Sequence, residues 1–157
     1  RLPVTRSLLV ACALFAVAPA SRSQAPRSEA VAPKLEPVAE TKLLMVGLNK
    51  PNFDGLGKMF RQKPADADAW EFARGQSLLV AESGNLLMLR PPQGKAAQDA
   101  WLSRSQDLRD AGTKLAKAAG EKDYVAARAG MAKLANVCNK CHETFRVPTR
   151  VALPDAP

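Results

Sequence analysis

The spacing of apolar residues along the chain predicts α-helices. From Glu36 onward, apolar positions recur three or four residues apart, as on one face of an α-helix, and no stretch alternates with the period of a β-strand. The pattern predicts a first helix over 36–61, with a break near Asn49–Asp54 because Pro51 has no backbone N–H to donate. Its predicted apolar face holds Val38, Leu43, Leu44, Met45, Leu48, Leu56, Met59 and Phe60.

Three more amphipathic helices follow the first one. The second begins after Pro64, where two aspartates lie in the first turn and complement the helix dipole. Its predicted inward stripe comprises Trp70, Ala73, Ser77, Val80, Ala81, Gly84, Leu87 and Met88. The third helix is predicted over 95–119 and the fourth over 122–147. Four helices with short connections predict an all-α fold, arranged as an antiparallel up-down-up-down four-helix bundle.

The first twenty residues differ from the helical region. Arg1 and Arg6 precede an apolar run from Leu8 to Ala18, which is too short to span a bilayer, and small residues follow at the end of the run. We therefore expect residues 1–20 to be a secretory signal peptide. A minor alternative is lipoprotein anchoring at Cys12, because Leu-Val-Ala-Cys matches a lipoprotein processing box.

The remaining segments are assigned by composition. Residues 21–35 are rich in Ser, Ala and Pro and lack periodicity, which predicts a disordered leader. We expect the folded domain over 36–148 and a flexible tail over 149–157. The mature chain is predicted to contain no integral membrane span.

The charge of the chain does not predict nucleic-acid binding. The formal net charge is +8 at pH 7, but the basic residues alternate with acidic ones along the helices and form no cluster with aromatic residues. We expect a mildly cationic, solvated surface instead. Such a surface favours docking to acidic protein partners or anionic lipid headgroups.

The candidate chemistry lies near the end of the fourth helix. Cys138, Asn139, Lys140, Cys141 and His142 form the C-x-x-C-H attachment signature for c-type haem. On a helix, positions three and four residues apart share one face. Both thiols can then bond to the two haem vinyl groups while the His142 imidazole reaches the iron. The motif predicts one covalently bound haem c.

Two other uses of this motif are disfavoured. A structural zinc site needs four ligands, but the chain without its predicted signal peptide offers no further Cys and no further His. A thioredoxin-like redox pair lies at the start of a helix that follows a strand. Cys138 and Cys141 lie near the end of a helix in an all-helical chain.

The motif and the residues after it resemble those of class II c-type cytochromes, the cytochrome c prime family. In that family C-x-x-C-H lies near the end of the fourth helix and is followed by an aromatic and a basic residue, as Phe145 and Arg146 follow it here. The resemblance covers roughly residues 36–148 and implies a four-helix bundle with one haem. Pro51 departs from the family's uninterrupted first helix.

The sixth position of the iron has several candidate occupants. The chain contains one His, so a second imidazole cannot come from the same chain. In an antiparallel bundle, Met45 near the start of the first helix and Met88 near the end of the second lie at the level of His142. The resemblance favours Met45, because in that family the first helix supplies the distal residue. An empty sixth position is the alternative, with Met45 as an ordinary core residue.

Two more residues are predicted at the haem. Trp101 falls at the same end of the bundle and is expected to pack on the porphyrin. Arg146 lies one turn beyond His142, where it can reach a haem propionate or the proximal face, or remain a solvated residue at a helix C-terminus.

These features predict a periplasmic electron carrier without enzymatic activity. The alternative function is capture of NO or CO by a five-coordinate iron. A peroxidase is disfavoured because no distal His is available for acid–base chemistry. The expected partners are redox proteins, and the resemblance also implies a possible homodimer through the first two helices.

Overall fold

The structure is a computed structural model that describes residues 34–152. The predicted signal peptide, the predicted leader up to Pro33 and the last five residues of the predicted tail lie outside this range. The described part of the chain contains four helices and no strand, which confirms the all-α prediction. None of its helices is both long enough and apolar enough to cross a membrane.

The helices are labelled in chain order. Helix α1 consists of an α-helical turn at Thr41–Leu44, a π-helical segment at Met45–Asn49 and an α-helix at Lys50–Met59. The other three helices are α2 at Ala67–Met88, α3 at Lys95–Gly120 and α4 at Tyr124–Thr144. The aspartate that precedes α2 caps it: Asp66 Oδ1 accepts a hydrogen bond from the Ala69 N–H at 2.8 Å.

The start of α1 differs from the prediction. The sequence pattern placed the first helical residue near Glu36, but the helix begins at Thr41 and Val38 is 99% exposed. Leu43 was predicted on the inner face and is also exposed, whereas its neighbour Leu44 is buried. Adjacent residues on a helix lie about 100° apart, so a broad apolar run cannot place every member in the core.

The predicted break in α1 was also misplaced. Residues 49–54 stay helical, and the irregularity is the π-helical segment before Pro51, in which the Lys50 N–H reaches the Met45 carbonyl five residues earlier. Proline in a regular α-helix clashes with the carbonyl four residues before it, and the wider π turn relieves that clash. Asn52 Nδ2 donates to the Leu48 carbonyl at 2.6 Å and satisfies an acceptor near the widened turn.

The core contains the predicted stripe of α2. Seven of its eight members are buried and the eighth, Met88, is partly buried; the buried members are Trp70, Ala73, Ser77, Val80, Ala81, Gly84 and Leu87. Helices α2 and α3 approach each other closely at two glycines. A Cβ on Gly84 would lie 2.7 Å from the Ser105 carbonyl oxygen, and one on Gly112 would lie 2.7 Å from the Ala81 nitrogen.

Hydrogen bonds show which helix ends are neighbours, and they fall at two levels along the helices, one at each end of α1. At one level, Trp101 Nε1 at the start of α3 donates to the Leu87 carbonyl at the end of α2 at 2.7 Å. Arg90, just after α2, donates through Nε to the Ala39 carbonyl before α1 at 2.8 Å. At the other level, the Tyr124 hydroxyl at the start of α4 donates to the Phe60 carbonyl at the end of α1 at 3.1 Å.

The close approach of α2 and α3 predicts the effect of a single methyl group. Gly84→Ala should lower the free energy of unfolding by about 1–3 kcal/mol, because backbone atoms of α3 occupy the space that the methyl needs. Urea unfolding of the purified protein measures this change.

The matched control is Gly75→Ala in the same helix. A methyl group at position 75 would have no atom within 4 Å, so we expect a gain of about 0.5–1 kcal/mol from the better helix propensity of alanine. Equal changes in the two variants would show that α2 and α3 do not pack closely at Gly84.

Candidate functional site

The residues of the C-x-x-C-H motif lie in the last two turns of α4. Cys138, Cys141 and His142 are each partly buried, and both cysteines are free thiols. Cys138 packs against the hydrophobic core. Since α4 is helical through Thr144, the three side chains share one face of the helix, as the spacing predicted.

The surroundings of the thiols keep them protonated at neutral pH. Burial, with a smaller contribution from the neighbouring Cys141, raises the pKa of the Cys138 thiol to about 11. Burial likewise raises the pKa of Cys141. A catalytic or redox-active thiol pair requires a lowered thiol pKa, usually from a helix N-terminus or a nearby cation. The environment of this pair is therefore unlike that of a thioredoxin-type site.

One ring nitrogen of His142 is already engaged. Its Nδ1 lies 2.7 Å from the Thr149 carbonyl oxygen. A carbonyl oxygen can only accept, so Nδ1 carries the proton and the lone pair resides on Nε2. Metal-ligating histidines are commonly oriented in this way, with the non-ligating nitrogen donating to a backbone carbonyl.

The backbone after α4 brings Thr149 to the imidazole. Arg146 adopts a left-handed conformation with φ of 54°, and the Val147 N–H donates to the His142 carbonyl at 2.8 Å. This is the bond that closes a Schellman motif, and it ends the helix by reversing the chain. The reversal directs the following residues back along α4.

Those following residues hydrogen-bond to α4. The Asn139 side chain, inside the motif, donates to the Val151 carbonyl at 2.9 Å and accepts from the Val151 N–H at 2.8 Å. Arg150 Nη2 lies 3.1 Å from a Glu143 carboxylate oxygen. Residues 149–151 belong to the segment predicted as a flexible tail, yet they form these contacts with the helix that carries the motif.

The structure places Trp101 at the level of the motif. Its ring packs edge-on against Phe145, with ring centroids 5.0 Å apart and an interplanar angle of 71°. The Trp101 indole N–H is satisfied by the Leu87 carbonyl. An apolar aromatic pair therefore lies beside the end of α4.

The remaining predicted residues occupy different positions. Met45 is partly buried at the start of the π-helical segment, where its Sδ accepts a hydrogen bond from Asn49 Nδ2 at 3.6 Å. Met88 is the last residue of α2 and is also partly buried. Arg146 is exposed just after α4, and its φ marks it as the residue that ends the helix.

Two charged residues near the motif were not predicted. Arg104 and Asp107 on α3 form an ion pair with an N–O distance of 3.1 Å, and the Arg104 side chain is only 17% exposed. Both charges act on Cys141: Arg104 lowers the pKa of its thiol and Asp107 raises it, each by less than burial does. Arg104 lies three residues after Trp101, so the helical repeat places both side chains on one face of α3. This spacing was the signal in the sequence that could have predicted Arg104 near the motif.

This set of side chains fits a haem better than a single metal ion. Within residues 34–152, no group of three or more His, Cys, Asp or Glu side chains is arranged to hold an ion. Two protonated thiols in apolar surroundings and one imidazole with a free Nε2 match the requirements of two thioether bonds and one axial bond. Among the described residues, Arg104 Nη1 is buried without a hydrogen-bond partner.

Comparison with known proteins agrees with this donor set. The sequence model of the Cytochrome C′ family matches residues 36–146, which include all four helices and the whole motif. No curated protein and no solved structure matches the chain. Because the match spans most of the sequence, the chain belongs to the cytochrome c′ family.

Proposed function

We propose that this chain is an exported c-type cytochrome that transfers electrons through a single, covalently bound haem. The observation that carries the proposal is the state of His142: Nδ1 is hydrogen-bonded to the Thr149 carbonyl and Nε2 is free, with the free thiol of Cys141 on the preceding residue and that of Cys138 one helical turn earlier. Membership of the cytochrome c′ family supports haem as the cofactor.

Each residue of the motif has a distinct task in this proposal. Cys138 and Cys141 hold the cofactor by thioether bonds, so that it cannot dissociate after export. When bound, the haem supplies one-electron chemistry at its iron. His142 provides the axial nitrogen, and the Thr149 carbonyl fixes the ring and increases its basicity. Trp101 and Phe145 contribute apolar surface that excludes water from this end of the helices.

The proposed order of the helices is antiparallel, up-down-up-down, and three contacts support it. The end of α2 meets the start of α3 through Leu87 and Trp101, and the start of α3 meets the residue after α4 through Trp101 and Phe145. The end of α1 meets the start of α4 through Phe60 and Tyr124. This order brings α3 and the end of α4 together around the motif.

Capture of NO or CO is the second candidate function, and one contact favours it. Asn49 Nδ2 donates to the sulfur of Met45, while Asn49 Oδ1 accepts from the Ser83 hydroxyl at 2.7 Å. The Met45 thioether is therefore engaged within its own helix. A sulfur held in this way leaves the sixth position of the iron open to a small ligand.

The remaining parts of the proposal are the cellular location of the protein, its partner proteins and its assembly. We place the protein in the periplasm, with redox proteins as partners and a homodimer as a possible assembly, and we assign it no enzymatic activity. The basic composition supports docking to acidic partner surfaces.

Covalent attachment is tested by extraction and mass. Protein produced with a haem-attachment system should gain the mass of one haem and keep it through acid-acetone extraction, because thioether bonds do not dissociate. Cys138→Ala and Cys141→Ala should each retain at most one thioether, and the double variant should release all its haem. Mass spectrometry before and after extraction measures this.

The control for attachment is Lys140→Ala, which changes an exposed residue of the motif between the two cysteines, keeps both thiols and should leave the gain of one haem mass unchanged. Complete extraction of haem from the wild-type protein would contradict the proposed covalent bond.

The role of Met45 separates the two candidate functions. If its sulfur ligates iron, the ferric protein should be low-spin, and ferrous protein should take up CO slowly because the thioether must leave first. Met45→Ala should then make the ferric protein high-spin, speed CO uptake and lower the reduction potential, since a Met ligand favours ferrous iron. Absorption spectra and stopped-flow CO mixing measure these changes.

Two variants complete this test. Met88→Ala should leave the spin state unchanged, and a spin change there instead would transfer the ligand role to α2. Met59→Ala, at the far end of α1, controls for the loss of a methionine alone. A wild-type protein that is already high-spin and binds CO at once would favour the gas-binding function.

A further inference from the structure

The side chain of Asn139 forms a pair of hydrogen bonds with the backbone of Val151. Its Nδ2 donates to the Val151 carbonyl at 2.9 Å, and its Oδ1 accepts from the Val151 N–H at 2.8 Å. Both residues are partly buried, so water competes for these groups less than it does at an exposed site. The pair holds residues 149–151, here called the returning segment, against α4.

The bond between His142 and the same segment is exposed to solvent. The Thr149 carbonyl accepts from His142 Nδ1 at 2.7 Å, and Thr149 itself is exposed. Because water can replace either partner, a single exposed hydrogen bond contributes less free energy than ordering several backbone residues costs. The His142 bond alone therefore does not hold the returning segment in place.

The register of the two contacts connects them. Asn139 precedes His142 on α4, whereas its partner Val151 follows Thr149, so the returning segment runs antiparallel to the end of the helix. Three helical residues rise about 4.5 Å, and two residues of chain reach at most about 7 Å, so the separations are compatible. Pairing Val151 with Asn139 thus places the Thr149 carbonyl at the level of His142.

An ion pair also joins the returning segment to α4, but it is weak. Arg150 lies 3.1 Å from Glu143, and the two side chains are 76% and 63% exposed. Exposed ion pairs contribute little free energy, because both charges are well solvated when they separate. Asn139, with two bonds from a partly buried side chain, provides the stronger attachment.

We propose that Asn139 is a positioning residue for the axial imidazole: by pairing with Val151 it holds the Thr149 carbonyl on His142 Nδ1. This assignment deepens the proposed function and rests on it, because His142 binds iron only when haem is attached. A carbonyl held at Nδ1 increases electron donation from Nε2 and favours ferric iron. Asn139 thereby lowers the reduction potential through His142.

Resonance Raman spectroscopy of the ferrous, haem-loaded protein tests the assignment, with photolysis of the CO adduct where the iron is six-coordinate. The Fe–His stretching frequency falls as the hydrogen bond from Nδ1 weakens. Asn139→Leu keeps a branched side chain but removes both hydrogen-bonding groups. It should lower this frequency and raise the reduction potential, because the Thr149 carbonyl is no longer held on Nδ1.

Val151→Pro tests the same contact from the other side and leaves α4 and the attachment motif unchanged. Proline has no N–H to donate to Asn139 Oδ1, so one bond of the pair is lost. We expect shifts of the same sign as in Asn139→Leu but smaller, since Asn139 Nδ2 can still donate to the carbonyl. This variant also provides a readout should Asn139→Leu fail to attach haem.

The matched control is Thr144→Val, which changes another uncharged polar residue of α4. Thr144 is exposed, and its Oγ1 donates to the Lys140 carbonyl at 2.7 Å within the helix. The variant therefore removes a hydrogen bond without reaching the returning segment. Its Fe–His frequency and reduction potential should equal those of the wild type.

The outcomes separate this assignment from the proposed function. A wild-type frequency in haem-loaded Asn139→Leu or Val151→Pro, or an equal shift in Thr144→Val, would overturn the role of Asn139 and leave the proposed function intact. A wild-type chain that attaches no haem would overturn both.

Discussion

The hydrogen bond between His142 Nδ1 and the Thr149 carbonyl determines what the C-terminal end of α4 can bind. It fixes the tautomer of the only imidazole in the chain, with the proton on Nδ1 and the lone pair on Nε2. The bond requires that α4 end shortly after His142 and that the chain reverse direction. The left-handed Arg146 provides that reversal, and the pairing of Asn139 with Val151 secures the returning segment. The termination of α4 and the orientation of the His142 imidazole are thus one structural feature.

The close packing of α2 against α3 positions Trp101, whose ring lies beside the end of α4. Gly84 and Gly112 permit backbone contact that no larger residue allows. With the helices this close, the Trp101 indole can reach the Leu87 carbonyl, and its ring is then held against Phe145. Small residues in the middle of the interface therefore determine where an aromatic side chain lies at its end. Arg104, one turn farther along α3, is positioned by the same contact.

The π-helical segment of α1 connects Met45, its first residue, to Pro51. Pro51 lies in the first turn of the α-helix that follows this segment, where its missing N–H disrupts the regular ladder, and the segment begins at Met45 and ends at Asn49. The side chains of those two residues are hydrogen-bonded to each other, and Asn49 is also tied to Ser83 on α2. The helical irregularity and the state of the Met45 sulfur are consequences of the same local sequence. Under the proposed function, the state of this sulfur distinguishes electron transfer from gas binding.

The sequence by itself determined the features that depend on local spacing. The inner stripe of α2 follows from the helical repeat, and its residues are buried as that repeat requires. The shared face of Cys138, Cys141 and His142 follows from three- and four-residue separations on a helix, and the cytochrome c′ family was identified from that motif. The start of α1 was misjudged because Val38 and Leu43 are apolar but exposed within the described residues, so their apolar character did not mark core positions. Only the tertiary structure decided the contacts that join residues distant in sequence or depend on chain reversal. Thr149 reaches His142 because the backbone turns at Arg146, and Arg104 lies near Cys141 with one nitrogen unpaired because α3 packs on α4. Periodicity reports which face of a helix is apolar; it contains no information about which neighbouring helix or returning segment of backbone will lie against that face.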